Sequence, residues 1–293
     1  MAKSVDKRMN DVYNIDWNAV WTEQMQRSQR SKNRKECSSI WEDRESAKRF
    51  WDMSQRDGQK RAKETIKDLH ITPGSRVLDI GAGPGTLAIP ISQKVAHVTA
   101  VEPSKGMLEV LDEKILEYKR DNISVVRKRW EVIDIEDLEG PYDVVIASFS
   151  LGMPDIRRAI EDMQAVCSGH IYLYWFAGNT SWDEHSTSIW PTLHGSEYHP
   201  SPKSDILFNV LYQIGIYPHM EPFIIGRNET YSTLDDAVNE QESHFAIETE
   251  QQREILRQYL KEKMHFENGN YIYDARSTRV RIWWSVNGPE KLV

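Results

Sequence analysis

The sequence predicts an α/β fold: a doubly wound sheet with helices on both faces. Three observations carry that expectation. Arg76-Val77-Leu78-Asp79-Ile80 is a short, largely apolar run. The turn Gly81-Ala82-Gly83-Pro84-Gly85-Thr86 follows it at once, and Leu87 to Val95 then has the apolar spacing of a helix. Strand, tight turn and helix start is the geometry that brings backbone N–H groups close to a ligand. A second β-like run, Val98 to Val101, ends at an acid, Glu102. Beyond it, short apolar runs alternate with helical periodicity as far as Phe176, the pattern that builds parallel sheets.

Residues 1–15 are polar and expected to be ragged. From Asp16, a plausible N-cap, Trp17, Val20, Trp21, Gln24 and Met25 fall at helical spacing. Arg27, Arg30, Lys32, Arg34 and Lys35 form a basic run, read as a solvated helix end, with a phosphate or nucleic-acid contact as the alternative. A second helical pattern begins at Ser38 or Ser39 and reaches about Arg56, with Ile40, Trp41, Phe50, Trp51 and Met53 as its apolar members. After Gly58 it continues through Lys60 to Leu69, and Ile71 to Ser75 turn the chain into the strand at 76–80.

The next strand is expected at 97–101 and a helix at Lys105 to Tyr118, with Met107, Leu108, Leu111 and Ile115 on one face. A third strand, Ile123 to Val126, leads into Arg127-Lys128-Arg129-Trp130-Glu131. A fourth, Tyr142 to Ala147, ends at Ser148 to Ser150, and open α/β sheets bind ligands at that end of their strands. A helix follows at Asp155 to Val166 and a fifth strand at His170 to Phe176. Ala177 to Asp205 is rich in Trp, His, Ser and Pro and reads as a long structureless connection, a substrate loop. Ile206 to Gly215 resumes a helix, and Pro218 to Ile225 reads as a strand. Thr233 to Lys263 is acidic and helical, broken near Thr249, with Ile255, Leu256, Tyr259 and Leu260 facing inward. It could serve as a lid element or a homodimer contact. Val280, Ile282 and Trp284 alternate in a last strand, Thr278 to Val286.

The chain has 293 residues, with 37 basic against 45 acidic side chains and a net charge of −8. Such a chain is not steered globally toward nucleic acid. No apolar run approaches a membrane span, and Met1 to Asn10 lacks the apolar core of a signal peptide. Cys37 and Cys167 are far apart and read as free thiols. A cytoplasmic location is the expectation, with no membrane partner.

The glycine spacing selects the cofactor. Dinucleotide enzymes use Gly-x-Gly-x-x-Gly, whereas here the third glycine comes one residue early, at Gly85, and Thr86 follows. Asp79, two residues before the first glycine, would repel a pyrophosphate but suits the cationic amino group of a methionine moiety. Glu102, at the tip of the second strand, is placed to accept hydrogen bonds from a ribose diol. The spacing argues for S-adenosylmethionine over a nicotinamide dinucleotide.

Val77 to Thr86, followed by Val101-Glu102-Pro103-Ser104, resembles the first and second motifs of class I S-adenosylmethionine-dependent methyltransferases. Asp16 to Trp21, Gly81 to Pro90, Glu102 to Met107 and Trp130-Glu131 together resemble uncharacterised methyltransferases of methanogens and other anaerobes. The resemblance implies a Rossmann-like, seven-stranded sheet whose last strand is antiparallel. It implies a helical lid over 1–70, in which Trp17 to Trp51 covers cofactor and substrate. The methyltransferase domain would be 71–293, with the substrate loop at 177–205 and a helical insertion at 230–265. Asp79, Gly81, Ala82 and Gly83 would hold the methionine end, and Glu102 the ribose. Pro103, Ser104, Met107, Trp130 and Glu131 would surround the adenine, with the Trp130 ring stacking on it. Ser148 would border the methyl donor.

Methyl transfer from a sulfonium is an in-line displacement that depends chiefly on positioning and on exclusion of water. A general base is needed only for weakly acidic nucleophiles. No Asn-Pro-Pro-Tyr or Asp-Pro-Pro-Tyr segment follows the fourth strand, where Ala147-Ser148-Phe149-Ser150-Leu151 stands instead, so nucleobase or glutamine amino methylation lacks its usual motif. His185 is the candidate base. His185, His194, Glu197 and His199 match no metal-site spacing, and no metal is expected. The expected activity is methyl transfer to a small molecule. A tRNA or protein methyltransferase and a non-catalytic S-adenosylmethionine-binding regulatory module are the alternatives.

Overall fold

The computed structural model describes residues 15–31, 41–56 and 58–288. The residues up to 14, Lys32, Arg34, Lys35, Cys37, the expected helix start at Ser38 or Ser39, and Ile40 lie outside them.

β1 (Arg76–Ile80) lies mid-sheet, parallel to β2 (His97–Val101) on one side and to β4 (Tyr142–Ser148) on the other. Val77, Leu78, Val98, Val144 and Val145 have no exposed surface, which is why these strands are nearly continuous apolar runs. β3 (Ile123–Val126) extends the sheet beyond β2, and β5 (Cys167–Phe176) pairs in parallel with β4. β8 (Asn270–Ser285) runs antiparallel to β5 and to β6 (His219–Tyr231). The order is β3-β2-β1-β4-β5-β8-β6, with the short β7 (His265–Glu267) paired to β8 off that path. This is the expected seven-stranded mixed sheet with an antiparallel last strand. The strand order reverses between β1 and β4, so the crevice at the end of β1 is the place where such sheets bind ligands.

α1 (Trp17–Ser31) starts where Asp16 Oδ1 accepts the N–H groups of Asn18 (3.0 Å) and Ala19 (3.2 Å). Its Trp21 is fully buried, donates from Nε1 to the Met153 carbonyl at 2.9 Å, and lies 6.0 Å from the Trp175 ring. Truncating such a side chain costs about 3–5 kcal/mol. α1 packs on α6 (Ile156–Val166) and α8 (Ser204–Gln213), so it closes the main core.

α2 (Arg44–Gln55) starts later than the apolar pattern suggests, because Asp43 caps it by accepting from Ser46 N at 2.8 Å. Its Ala47 and Trp51 pack on Ile89 and on Met107 and Val110 of α5 (Lys105–Glu117). A Cβ at Gly106 would stand 2.6 Å from the Asp43 carbonyl carbon, so only glycine admits the start of α2 this close. α3 (Lys60–Lys67) and the five-residue α4 (Ala88–Ser92) complete the helices before β2. Of the two N-terminal helices, α2 packs beside Ile89 and Met107 near the end of β1, and α1 packs beside Met153, past the end of β4, and Trp175, near the end of β5.

The segment expected to be a structureless substrate loop is mostly helical: α7 spans Ser181–His194. Thr180 caps it through a reciprocal bond pair with Asp183, and Ser186, Ile189, Trp190 and Leu193 form its buried face. Burial raises the Asp183 carboxyl, but Lys203 Nζ at 2.7 Å and the Thr180 donors bring it below its ordinary range. α9 (Leu234–Gln241) and α10 (Glu250–Lys263), divided near Thr249 as expected, pack with α7 on the outer halves of β6 and β8. Leu256, Leu260, Phe245, Tyr231 and Tyr273 fill that second core.

Candidate active site

β1 ends in a corner whose three glycines have φ of +71° (Gly81), +56° (Gly83) and +89° (Gly85). The N–H groups of Gly81 (2.8 Å) and Ala82 (3.0 Å) donate to the Val101 carbonyl, which latches the corner to the end of β2. Gly81 is obligatory twice over. Its φ is left-handed, and an added Cβ would lie 2.3 Å from Ser150 Cβ.

Two carboxylates flank this corner. Glu102 is 5% exposed; its Oε2 accepts from Gly83 N (2.9 Å) and its Oε1 from Ser104 N (2.8 Å). Burial still lifts its carboxyl above the ordinary range despite those donors. Asp79 is 2% exposed, and its Oδ2 has no hydrogen-bond partner among the described residues. Burial, reinforced by the Glu102 charge, pushes its pKa up to about 7, with the Ala88 N–H pulling the other way. Ser104 Oγ is a second buried polar atom without a partner among the described residues. An acid held this far out of water is stabilised in its charged form by a cation beside it. The residues present therefore fit a ligand with a cationic end and hydroxyl donors, which describes S-adenosylmethionine.

Met107 is buried, and its Sδ would lie 3.8 Å from a Cβ on Gly83, so it stands against the corner. Pro103 is half-buried beside Glu102. Ser148, at the carboxyl end of β4, accepts from Arg61 Nη2 at 3.3 Å. Phe149 follows with φ of +58°, a conformation that non-glycine residues adopt rarely.

Two expectations need correction. Trp130 is 3% exposed, sits in the main core, and donates from Nε1 to the Ala159 carbonyl at 3.0 Å. Its ring faces are taken up by packing, so it offers no stacking surface for adenine; Glu131, next to it on the single turn Trp130–Val132, is exposed. His185 is turned to the second core. Its Nδ1 lies 2.7 Å from Tyr259 Oη, and its ring is 4.9 Å from that of Tyr273. Burial and then Lys263 lower its pKa, which keeps the imidazole neutral, but it lines no part of the cavity described next. His194 Nε2 pairs with the Phe245 carbonyl (2.9 Å), and His199 N donates to Ser31 Oγ (3.3 Å). Among the described residues no three His, Cys, Asp or Glu side chains converge to hold a metal.

A cavity of about 350 Å³ opens beside the corner. It meets the corner at Thr86 and Leu87, and neither Asp79 nor Glu102 lines it. Phe50 and Met53 of α2 and Arg61 of α3 border one side. Trp182 of α7 and the outer halves of β6 and β8, including Arg276 and Arg279, border the other. Sequence reasoning did not single out these arginines. Arg61 lies some two hundred positions before Arg276 and Arg279, and no local spacing links it to them.

Comparison with known proteins agrees with the fold. Residues 77–169 match a family model described as a methyltransferase domain. An uncharacterised protein of Haemophilus influenzae is 26% identical over 227 residues, 77% of this chain and 81% of that protein. A demethylmenaquinone methyltransferase of Alkalihalophilus pseudofirmus is 28% identical over 108 residues, 36% of this chain. That match spans 45% of the relative, less than half its length. The crystal structure of the Bacillus YcgJ protein superposes with a TM-score of 0.53 at 16% identity, over 76% of this chain and 97% of that one, which speaks for the fold. Residues 77–169 are thus a methyltransferase domain of the S-adenosylmethionine-dependent kind, with S-adenosylmethionine as its cofactor.

Proposed function

We propose that the chain transfers the methyl group to a small-molecule acceptor held in the cavity between the N-terminal helices and the β6/β8 arm. The observation that supports this is the cavity itself: about 350 Å³, next to the glycine corner, and bordered by Phe50, Met53, Leu87, Trp182 and Ile225. That size and apolar wall suit a small ligand and leave no room for a folded nucleic acid.

In this reading S-adenosylmethionine supplies, when bound, an electrophilic methyl group. Asp79, Gly81, Ala82 and Gly83 hold the methionine end, and Glu102 accepts from the ribose hydroxyls. Pro103, Ser104, Met107 and the exposed Glu131 border the adenine. Ser148 and its Arg61 partner border the methyl-transfer side. α2 and α3 act as the lid that excludes water during the displacement. Among the described residues the lining contains no histidine, and Glu229 is its one carboxylate. The acceptor atom is accordingly one that is already anionic or easily deprotonated, and rate comes from positioning. The likeness to a demethylmenaquinone methyltransferase covers 36% of this chain and supports the reaction class more than any acceptor.

We also place the activity in the cytoplasm, on the strength of the acidic chain and the thiol Cys167, which is free. No helix among the described residues is long and apolar enough to cross a membrane. A macromolecular acceptor is favoured only by the basic run from Arg27, and Arg27 itself pairs with Glu23 one turn back. The test uses methyl-tritiated S-adenosylmethionine with three pools: protein-free small molecules from bacterial cells, tRNA, and protein. Label in the small-molecule pool supports the reading, and label in tRNA or protein overturns it. S-adenosylhomocysteine binding with no transfer to any pool would point to a regulatory module.

A further inference from the structure

The turn from β2 into α5 distributes its polar groups in a way its sequence alone would not suggest. Ser104 is the N-cap of α5, yet its side chain makes no capping hydrogen bond. A serine at that position ordinarily accepts from an N–H of the first helical turn. Ser104 is 1% exposed, and its Oγ makes no hydrogen bond among the described residues, so a buried hydroxyl is withheld from its own helix. It is turned toward the site instead. Burial raises the Glu102 carboxyl, and the Ser104 N–H and then the Ser104 hydroxyl are the chief pulls the other way.

The first N–H of α5 is served from elsewhere in the chain. Lys105 N donates to Glu42 Oε2 at 3.3 Å. Glu42 belongs to the short segment Trp41–Asp43 that leads into α2, and this segment lies directly on the turn. A Cβ on Gly106 would stand 2.7 Å from the carbonyl oxygens of both Trp41 and Asp43. Arg44, which opens α2, reaches Glu113 of α5 at 2.6 Å and holds the same two helices together. Glu42 stands near enough to Glu102 for the two charges to oppose each other. On its other side the segment meets the cavity wall, since the Trp41 ring lies 5.4 Å from that of Phe50.

Resting on the reading of Glu102 as the acceptor for the ribose, we propose that Glu42 is a positioning residue of the cofactor site: it takes over the N-terminus of α5 from Ser104, which leaves the Ser104 hydroxyl to serve the adenosine of the cofactor, and it fastens the start of α2 to the turn that holds that adenosine. Without the Glu42 carboxylate the hydroxyl returns to capping its own helix, as serine does at such positions, and the ligand loses it.

The experiment measures dissociation constants for S-adenosylhomocysteine by calorimetry on the full chain and on Glu42→Ala, Glu42→Gln, Ser104→Ala and the double alanine variant. Glu42→Ala and Ser104→Ala should each weaken binding about fivefold or more, the effect of one lost hydrogen bond. Glu42→Gln keeps an oxygen that accepts from Lys105 N and should bind within about twofold of the wild type. The loss in the double variant should fall short of the product of the two single losses, because both withdraw the same hydroxyl from the ligand. Glu42 is exposed, so its two variants keep the comparison decisive even if Ser104→Ala fails to fold. The inference is overturned if either folded alanine variant binds within about twofold of the wild type, if Glu42→Gln is as weak as Glu42→Ala, or if the single losses multiply. Glu102→Ala separates the two readings. If it too leaves affinity unchanged, or if the wild type does not bind, the donor assignment falls; if it weakens binding and Glu42→Ala does not, only the present inference falls.

Discussion

Replacing Asp79 with asparagine should make the stability of the cofactor-free protein less sensitive to pH, by a calculable amount. Burial and the neighbouring Glu102 raise the Asp79 pKa from 3.8 to about 7 in the folded state. Below the unfolded value both states hold the proton, and ionisation has no effect. As pH rises from there toward 7, the unfolded chain releases a proton that the folded chain retains, so stability falls; above 7 the loss is complete. At about 1.4 kcal/mol per pH unit the whole loss approaches about 4 kcal/mol, of which about 2–3 kcal/mol accrues between pH 5 and pH 8. Asparagine cannot ionise and escapes it. Its amide adds an unpaired donor where Oδ2 has no partner among the described residues, a cost of about 1–3 kcal/mol that does not vary with pH. Urea unfolding of wild type and Asp79→Asn at pH 5 and pH 8 isolates the effect. The variant should gain about 2–3 kcal/mol on the wild type between the two values. A difference that is equal at both would show that Asp79 is not held protonated by its surroundings. The same variant should bind S-adenosylmethionine less tightly, by about 1.5–3 kcal/mol, because the partner of a charged amino group is gone. A site that strains the free protein to hold its ligand is the usual trade of stability for function.

Glu102→Ala should weaken S-adenosylhomocysteine binding by about 1–3 kcal/mol in calorimetry, since hydroxyl donors and the Gly83 and Ser104 N–H groups lose their acceptor; unchanged affinity would remove Glu102 from the site. Gly81→Ala must relieve a 2.3 Å approach to Ser150 Cβ at a left-handed φ, and should lower stability by about 2–4 kcal/mol in denaturant titration. Pairing it with Ser150→Gly should restore part of that loss, and strict additivity would refute the clash. Trp130→Phe strips the Ala159 carbonyl of its donor and should cost about 1–3 kcal/mol of stability with no change in cofactor affinity. A fall in affinity would return the Trp130 ring to the adenine.

The sheet half was legible because its signals are local. Both faces of β1, β2 and β4 are covered, so each reads as an apolar run, and the glycine corner has a spacing of its own. Helix α7 was readable but masked. Its Thr180–Asp183 cap and the Ser186, Ile189, Trp190, Leu193 spacing are helical, while Pro191 and the polar remainder suggested a loop. The outer halves of β6 and β8 carry polar residues such as Asn228 and Glu229, and they are strands because they pair with each other, which no local pattern reveals. Trp130 and His185 failed for one shared reason. A sequence places an aromatic or imidazole on an element but does not say which core its ring enters.

The account rests on the corner between β1 and β2 being the seat of the methyl donor, and a crystal structure of the protein with S-adenosylhomocysteine tests that most directly. We expect both ribose hydroxyls on the Glu102 carboxylate and the amino group within reach of Asp79, directly or through one water. Ligand density elsewhere, with the Gly81–Gly85 corner empty, would contradict it.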